Sequence, residues 1–169
     1  MTVYLDCNAT TPLEPAVAQV VQRYLVEEYG NAGSRSHEYG SRAKQAVHSA
    51  RKQVAEVVSA QADEVIFTSG ATESNNLAIL GLELSSNEAE PAHLITTRIE
   101  HKAVLEPFEQ LEHRGCEVTW LEPDANGQIS AQAIAEALRS NTQLISVMHA
   151  NKDPVSLLLI RLEVDPDVL

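Results

Sequence analysis

From Glu64 to Ala150, short apolar runs alternate with segments of helical character. The apolar runs are EVIFTS, HLITTRI, CEVTWLEP and QLISVMHA, and the helical segments between them are ATESNNLAILGLEL, KAVLEPFEQLEHRG and SAQAIAEALRS. Strands separated by helices favour a largely parallel sheet with helices on its faces. The alternation therefore predicts an α/β fold. In the first run, Val65, Ile66 and Phe67 are predicted to be buried on both faces of the sheet.

The sequence before Glu64 predicts a short strand and two helices. TVYL has strand character, and the turn-rich stretch DCNATTPLEP separates it from a helical segment, AVAQVVQRYLVEEY, with Pro15 in its first turn. A second helix is indicated by apolar residues that recur at steps of three and four, namely Ala43, Val47, Ala50, Val54 and Val57. The glycine-rich loop GNAGSRSHEYG lies between the two helices.

Composition limits the classes of partner. The 169 residues carry a net charge of −12, from 12 Lys and Arg against 24 Asp and Glu, which argues against nucleic acid or a membrane surface as a partner. No leader peptide is visible, and no apolar run approaches the roughly 20 residues of a membrane span. The two cysteines, Cys7 and Cys116, have no metal-ligand or disulfide spacing. We therefore expect a reduced, cytoplasmic protein without a metal.

Small polar residues follow the first apolar run and precede a helix. After Thr68, Ser69 and Gly70, the helix is predicted to begin at Ala71 and Thr72. Free N–H groups and the positive end of the helix dipole attract an anion at such a position. The alternative is an ordinary capped helix after a glycine turn.

Polar residues also follow two other apolar runs. His101 lies after HLITTRI, where its ring could stack on a flat group or transfer protons near neutral pH, or simply cap the next helix in solvent. Asn151 follows QLISVMHA and offers both a donor and an acceptor. Together with the predicted anion site, these residues describe a site for a flat, phosphorylated cofactor.

Five consecutive motifs indicate which family of cofactor-binding proteins the sequence resembles. YLDCNATTP, GNAGSRSHEYG, VIFTSGATESNNLAI, EHKAVLEP and ISVMHAN resemble those of the cysteine desulfurases, which are pyridoxal 5'-phosphate (PLP) enzymes of the class V aminotransferase family. The resemblance implies an incomplete large domain of a fold type I PLP-dependent transferase, with a mostly parallel sheet flanked by helices. It divides the chain into an N-terminal segment, 1–12, a partial PLP-binding domain, 13–151, and a divergent tail, 152–169. The implied reaction converts L-cysteine to L-alanine and enzyme-bound persulfide sulfur for iron–sulfur cluster or thiolation pathways.

The resemblance also implies roles for individual residues. Ala71 and Thr72 would bind the phosphate of PLP, His101 would stack over its ring, and Asn151 would lie beside its phenolic oxygen. The residues bordering the substrate pocket would be Asn8, Ala9 and Thr10. L-cysteine, a sulfur-acceptor protein and a second copy of the chain are the implied partners.

The sequence departs from the family pattern after Asn151. Lys152, Asp153 and Pro154 stand where an Asn-Glu-x-Gly loop is expected. The Schiff-base lysine, the aspartate that pairs with the pyridine nitrogen, the substrate-binding arginine, the cysteine loop and the small domain have no counterpart in the 169 residues. We therefore expect no covalent attachment of PLP through the usual lysine, no catalytic residue and no activity of the isolated chain. Neither cysteine is predicted to be the sulfur-accepting nucleophile.

Two other functions stay open. One is a non-catalytic pseudoenzyme or dimerisation module. The other is a fragment of a selenocysteine lyase or another class V PLP enzyme. The tail after Asn151 is compatible with a frameshift, a gene fusion or a genuine short product.

Overall fold

The computed structural model describes residues 3–7, 9–82, 91–152 and 155–157. The chain forms two compact units, Met1–Phe67 and Thr68–Leu169. The second unit contains a three-stranded sheet of β1 (His93–Thr97), β2 (Glu117–Leu121) and β3 (Thr142–Ile145). The strand order is β2-β1-β3, and both pairings are parallel. The predicted α/β fold with a parallel sheet is therefore confirmed.

Both units contain helices, and α4 and α5 connect the strands of the sheet in the second unit. The first unit holds α1 (Pro15–Val26) and α2 (Glu38–Val57), and the second holds α3 (Ala71–Leu80), α4 (Lys102–His113) and α5 (Ala131–Ala137). Side chains cap α1, α2, α4 and α5. In α1, Glu14 accepts the N–H groups of Ala16 and Val17, and in α5, Ser130 accepts the N–H of Ala133. After β3, the strands β4 (Ala150–Lys152) and β5 (Val155–Leu157) form an antiparallel pair.

The central strand β1 separates two apolar layers. On one face, Leu94 packs in a cluster with Ile79 of α3 and with Phe108 of α4. On the other face, Ile134 of α5 lies in a second cluster, which includes Ile145. All five residues of β1 are buried, as is typical of a parallel strand covered by helices on both faces.

The first residue of β1, His93, is a buried polar group that joins all three strands. Its Nδ1 lies 2.8 Å from Oγ1 of Thr142 in β3, and its Nε2 lies 2.8 Å from Oγ1 of Thr119 in β2. The Thr142 hydroxyl also accepts the backbone N–H of Arg139 at 2.8 Å, which leaves its own proton available for His93. Both ring nitrogens are thus satisfied in the neutral imidazole. Burial, aided by the nearby charge of Arg139, lowers the pKa of His93, whereas Glu117 acts in the opposite direction.

Close backbone approach explains the glycine in the first turn of α2, Gly40. A Cβ on Gly40 would lie 2.5 Å from the carbonyl oxygen of Ser34, closer than real Cβ atoms approach an oxygen. The amide of Gly40 donates to Nδ1 of His37, which caps α2. Glycine at this position therefore lets the loop pack directly against the first turn of α2.

Two strand predictions are wrong. Residues 3–6 form no strand, and the run from Glu64 to Ser69 contains the end of a short 3₁₀ turn (Ala62–Glu64) followed by irregular backbone. Ile66 and Phe67, predicted to be buried, are 67% and 51% exposed. A strand needs a hydrogen-bonded neighbour, and within the described residues neither segment has one.

The first helix carries apolar side chains in solvent. No residue of α1 is buried, and its exposed apolar residues include Val17, Val20, Leu25 and Val26. An exposed apolar face of this kind is typical of a surface that contacts another protein segment. None of the described helices is both long and apolar enough to cross a lipid bilayer.

The environment of His93 makes stability depend on pH. In the unfolded chain a histidine binds its proton below about pH 6.5, whereas the folded chain resists protonation of the buried ring. The unfolded state therefore binds more protons, and the free energy of unfolding should fall as the pH is lowered from about 7.5 to 5.5. Urea unfolding across this range should show a smaller fall for His93→Gln than for the wild type.

The control is His48→Gln, which removes an exposed imidazole of α2. This variant should keep the pH dependence of the wild type. Equal pH dependence in His93→Gln and the wild type would contradict the assigned role of His93.

Candidate functional site

Helix α3 begins without a side-chain cap. Its N-cap residue is Gly70, whose φ of 165° and ψ of −179° are extended backbone, and this position makes no side-chain capping hydrogen bond. A Cβ built on Gly70 would meet nothing within 4 Å. The open first turn at Ala71 and Thr72 can therefore admit an anion, which the helix dipole favours by roughly 0.3–1 kcal/mol.

Hydrogen bonds hold the turn before α3 in place. Oε2 of Glu73 accepts from the backbone N–H of Ser69 at 2.7 Å and from its hydroxyl at 2.6 Å. Oγ1 of Thr68 lies 2.6 Å from Oγ of Ser74. The bonds from Ser69 lower the pKa of Glu73, so that an anion at this helix start must fit beside an ionised carboxylate.

His101 caps helix α4. Its Nδ1 accepts the backbone N–H of Ala103 at 3.1 Å, so a neutral ring carries its proton on Nε2. The residue is exposed. The capping alternative considered from the sequence is therefore what the structure shows, and the accessible ring is also free to stack on a flat ligand.

Asn151 lies next to the turn that carries His101. Asn151 lies in β4, and its Nδ2 donates to the carbonyl oxygen of Ile99 at 2.8 Å, two residues before His101. Helix α3 packs against α4. Among the described residues, however, no hydrogen bond joins Ala71 or Thr72 to His101.

The predicted pocket-border residues belong to the first unit. Thr10 Oγ1 lies 2.7 Å from the hydroxyl of Tyr4, and the N–H of Ala9 donates to the carbonyl oxygen of Asp6 at 3.1 Å. Both Ala9 and Thr10 are exposed. Asn8 lies outside the described residues.

Sequence reasoning missed Glu100, which precedes His101. Its side chain is 8% exposed, and Oε1 accepts from the N–H of Met148 and from the hydroxyl of Thr97. Burial raises the pKa of Glu100, and the two hydrogen bonds oppose that rise. The available signal was an acidic residue directly after a buried strand, where α/β folds place ligand-binding groups.

The two cysteines differ in environment. Cys7 is exposed, whereas Cys116 is half-buried and packs against the cluster around Phe108. Burial raises the pKa of the Cys116 thiol. Cys116 therefore behaves as a small apolar residue with a poorly nucleophilic sulfur, as expected from the sequence.

Comparison with known sequences places residues 3–153 in one family model, aminotransferase class-V. The chain is 49% identical over 155 residues to cysteine desulfurase IscS of Shewanella sp. (strain MR-4), covering 90% of this chain and 38% of that protein. It is 50% identical over 155 residues to cysteine desulfurase IscS of Azotobacter vinelandii, with the same coverage. The chain thus spans 38% of the length of these curated relatives.

Solved structures also match most of this chain and less than half of their own length. DndA from Streptomyces lividans matches with a TM-score of 0.78 and 51% identity, over 92% of this chain and 43% of that one. SspA in complex with cysteine matches with a TM-score of 0.84 and 39% identity, over 93% of this chain and 45% of that one. A NifS-like protein matches with a TM-score of 0.85 and 35% identity, over 94% and 43% of the two chains.

The open start of α3 generates a prediction for anion binding. Gly70→Asp places a second carboxylate at the N-cap, where space and extended backbone accept a side chain. Asp at an N-cap stabilises a helix by a few tenths of a kcal/mol relative to glycine. Its charge should nevertheless weaken inorganic phosphate binding about tenfold, because like charges within a few ångströms repel.

The measurement is a phosphate titration that follows the amide resonances of Ala71 and Thr72. Gly70→Ser is the matched control, since it adds an uncharged cap and should retain the wild-type affinity within about threefold. Equal affinities for phosphate in the two variants would show that the anion does not bind at this helix start.

Proposed function

The chain belongs to the aminotransferase class-V family, and we propose that it forms the N-terminal part of the PLP-binding domain of a cysteine desulfurase. The observation that supports this most directly is the placement of polar groups at the second unit's helix starts and strand ends. The open first turn of α3 suits a phosphate, and the exposed ring of His101 follows the turn to which Asn151 is hydrogen-bonded. These are the groups needed to hold a flat, phosphorylated ring.

The described residues fit PLP. Its phosphate would bind the N–H groups of Ala71 and Thr72, where Gly70 leaves space for the oxygens. Its ring would stack against His101, which is exposed and held in one orientation by its bond to Ala103. Asn151 would approach the phenolic oxygen of the ring from β4, beside the same turn.

When bound, PLP withdraws electrons from bonds at the substrate's α-carbon and so permits their cleavage. The residues of this chain would bind and orient the cofactor. His101 would hold a proton at Nε2, because its Nδ1 accepts from the backbone, and could donate that proton on the exposed side of the ring. The remaining catalytic groups would come from the part of a desulfurase that corresponds to the unmatched length of the relatives.

We further propose L-cysteine as the substrate, with a sulfur-acceptor protein and a second subunit as partners. The names of the relatives, and the complex of SspA with cysteine, support the substrate. The exposed apolar side chains of α1 support a protein partner, since no residue of that helix is buried in the isolated chain.

Cofactor binding by the isolated chain tests the proposed function. The 169-residue chain should bind PLP reversibly, with shifts of the Ala71, Thr72 and His101 resonances. Pyridoxal, which lacks the phosphate, should bind at least about tenfold more weakly, because charge-assisted hydrogen bonds at the helix start are lost. Borohydride treatment followed by mass spectrometry should find no added mass, and L-cysteine should yield no L-alanine. Equal binding of PLP and pyridoxal would argue against the phosphate site.

The activity of a whole enzyme provides a separate test. A chimera that joins residues 1–151 to the downstream part of the Azotobacter vinelandii relative should form L-alanine from L-cysteine. The same chimera with His101→Ala should be slower by about a hundredfold or more, the usual loss when a positioned acid–base group is removed. A chimera that folds and binds PLP but forms no L-alanine would contradict the proposed function.

A further inference from the structure

Glu100 is a buried carboxylate whose burial disfavours its charge. It lies three residues after the end of β1 and is 8% exposed. Desolvation raises its pKa, and within the described part of the chain no cation forms an ion pair with it. Burying a carboxylate without a cationic partner costs free energy, so such a residue is a poor contributor to the stability of a fold. Carboxylates of this kind are concentrated at functional sites.

The hydrogen bonds of Glu100 connect two separate segments. Oε1 accepts the N–H of Met148 at 2.6 Å and the hydroxyl of Thr97 at 3.1 Å. Met148 lies 48 residues further along the chain, in the segment after β3. Glu100 therefore joins the turn after β1 to the segment after β3.

A second bond joins the same two segments. Nδ2 of Asn151 donates to the carbonyl oxygen of Ile99 at 2.8 Å. We call the bonds Glu100–Met148 and Asn151–Ile99 the loop clamp. The first segment carries His101 and the second carries Asn151, so the loop clamp sets the position of the imidazole relative to the amide.

From this geometry we infer that Glu100 is a positioning residue that holds His101 and Asn151 in register for a bound pyridine ring, an inference that rests on the proposed function. An ionised acceptor makes shorter and stronger bonds to N–H and O–H donors than a neutral one does. This strength suits a bond that must fix the turn after β1 against the segment after β3.

The test uses three variants of the full chain. Glu100→Ala removes the acceptor, and Glu100→Gln keeps an acceptor oxygen without the charge. Glu106→Ala is the matched control, because Glu106 is exposed in the neighbouring helix α4. None of these changes alters a residue proposed to touch the cofactor.

The first readout needs no cofactor. In Glu100→Ala, hydrogen exchange at the amide of Met148 should accelerate at least about tenfold, because this amide loses its charged partner. The imidazole resonances of His101 should shift, while the amides of buried β1 keep their protection. Glu100→Gln should return Met148 exchange to within about threefold of the wild type, and Glu106→Ala should change nothing.

The second readout compares PLP with inorganic phosphate. Glu100→Ala should weaken PLP binding about fivefold, because ring contacts are misplaced, and leave phosphate binding at α3 within about twofold of the wild type. Unchanged Met148 exchange, or equal weakening of PLP and phosphate, would overturn the inference. Equal loss of protection in β1 would also overturn it, by showing a general loss of stability. If the wild type binds no PLP, the proposed function and this role both fail, and Met148 exchange still decides whether Glu100 joins the two segments.

Discussion

The second unit depends on burying a central strand that is rich in polar side chains. All five residues of β1 are buried, and three of them, His93, Thr96 and Thr97, carry polar groups. A buried polar group without a partner costs free energy, so each must find one in a neighbouring segment. His93 bonds to threonines of both adjacent strands, Thr96 donates to the carbonyl oxygen of Ser146, and Thr97 donates to Glu100. These bonds fix which strands can lie beside β1 and in which register.

The polar side chains at the two ends of β1 have their hydrogen-bond partners in different places. At its amino end, the bonds of His93 remain within the sheet and serve pairing alone. At its carboxyl end, Thr97 donates a hydrogen bond to Glu100, and Glu100 also accepts the N–H of Met148. These bonds extend beyond the sheet, into the segment that leads to Asn151. The candidate site is therefore a continuation of the buried polar network, at the edge where parallel strands present their loops.

Much of this architecture follows from sequence pattern, and the exceptions have physical causes. Alternating apolar runs predicted β1, β2 and β3, and the small residues after Ser69 predicted the start of α3. The run around Ile66 has as much strand character as the runs that form β1, β2 and β3. Strand formation also requires a hydrogen-bonded neighbouring strand, which the described residues do not supply. His101 was found because a histidine after a strand is conspicuous. Glu100 was missed because its role depends on a contact with Met148, distant in the sequence.

The strand order β2-β1-β3 has a consequence for how the chain acquires its structure. The pairing of His93 with Thr119 closes a loop of 26 residues, and its pairing with Thr142 closes one of 49. During synthesis, β1 can therefore dock on β2 well before β3 emerges from the ribosome. In that interval one edge of the innermost strand has no partner, and such edges recruit foreign strands. Nascent chains in which Leu121 has left the ribosome but Thr142 has not are accordingly the ones that expose this edge.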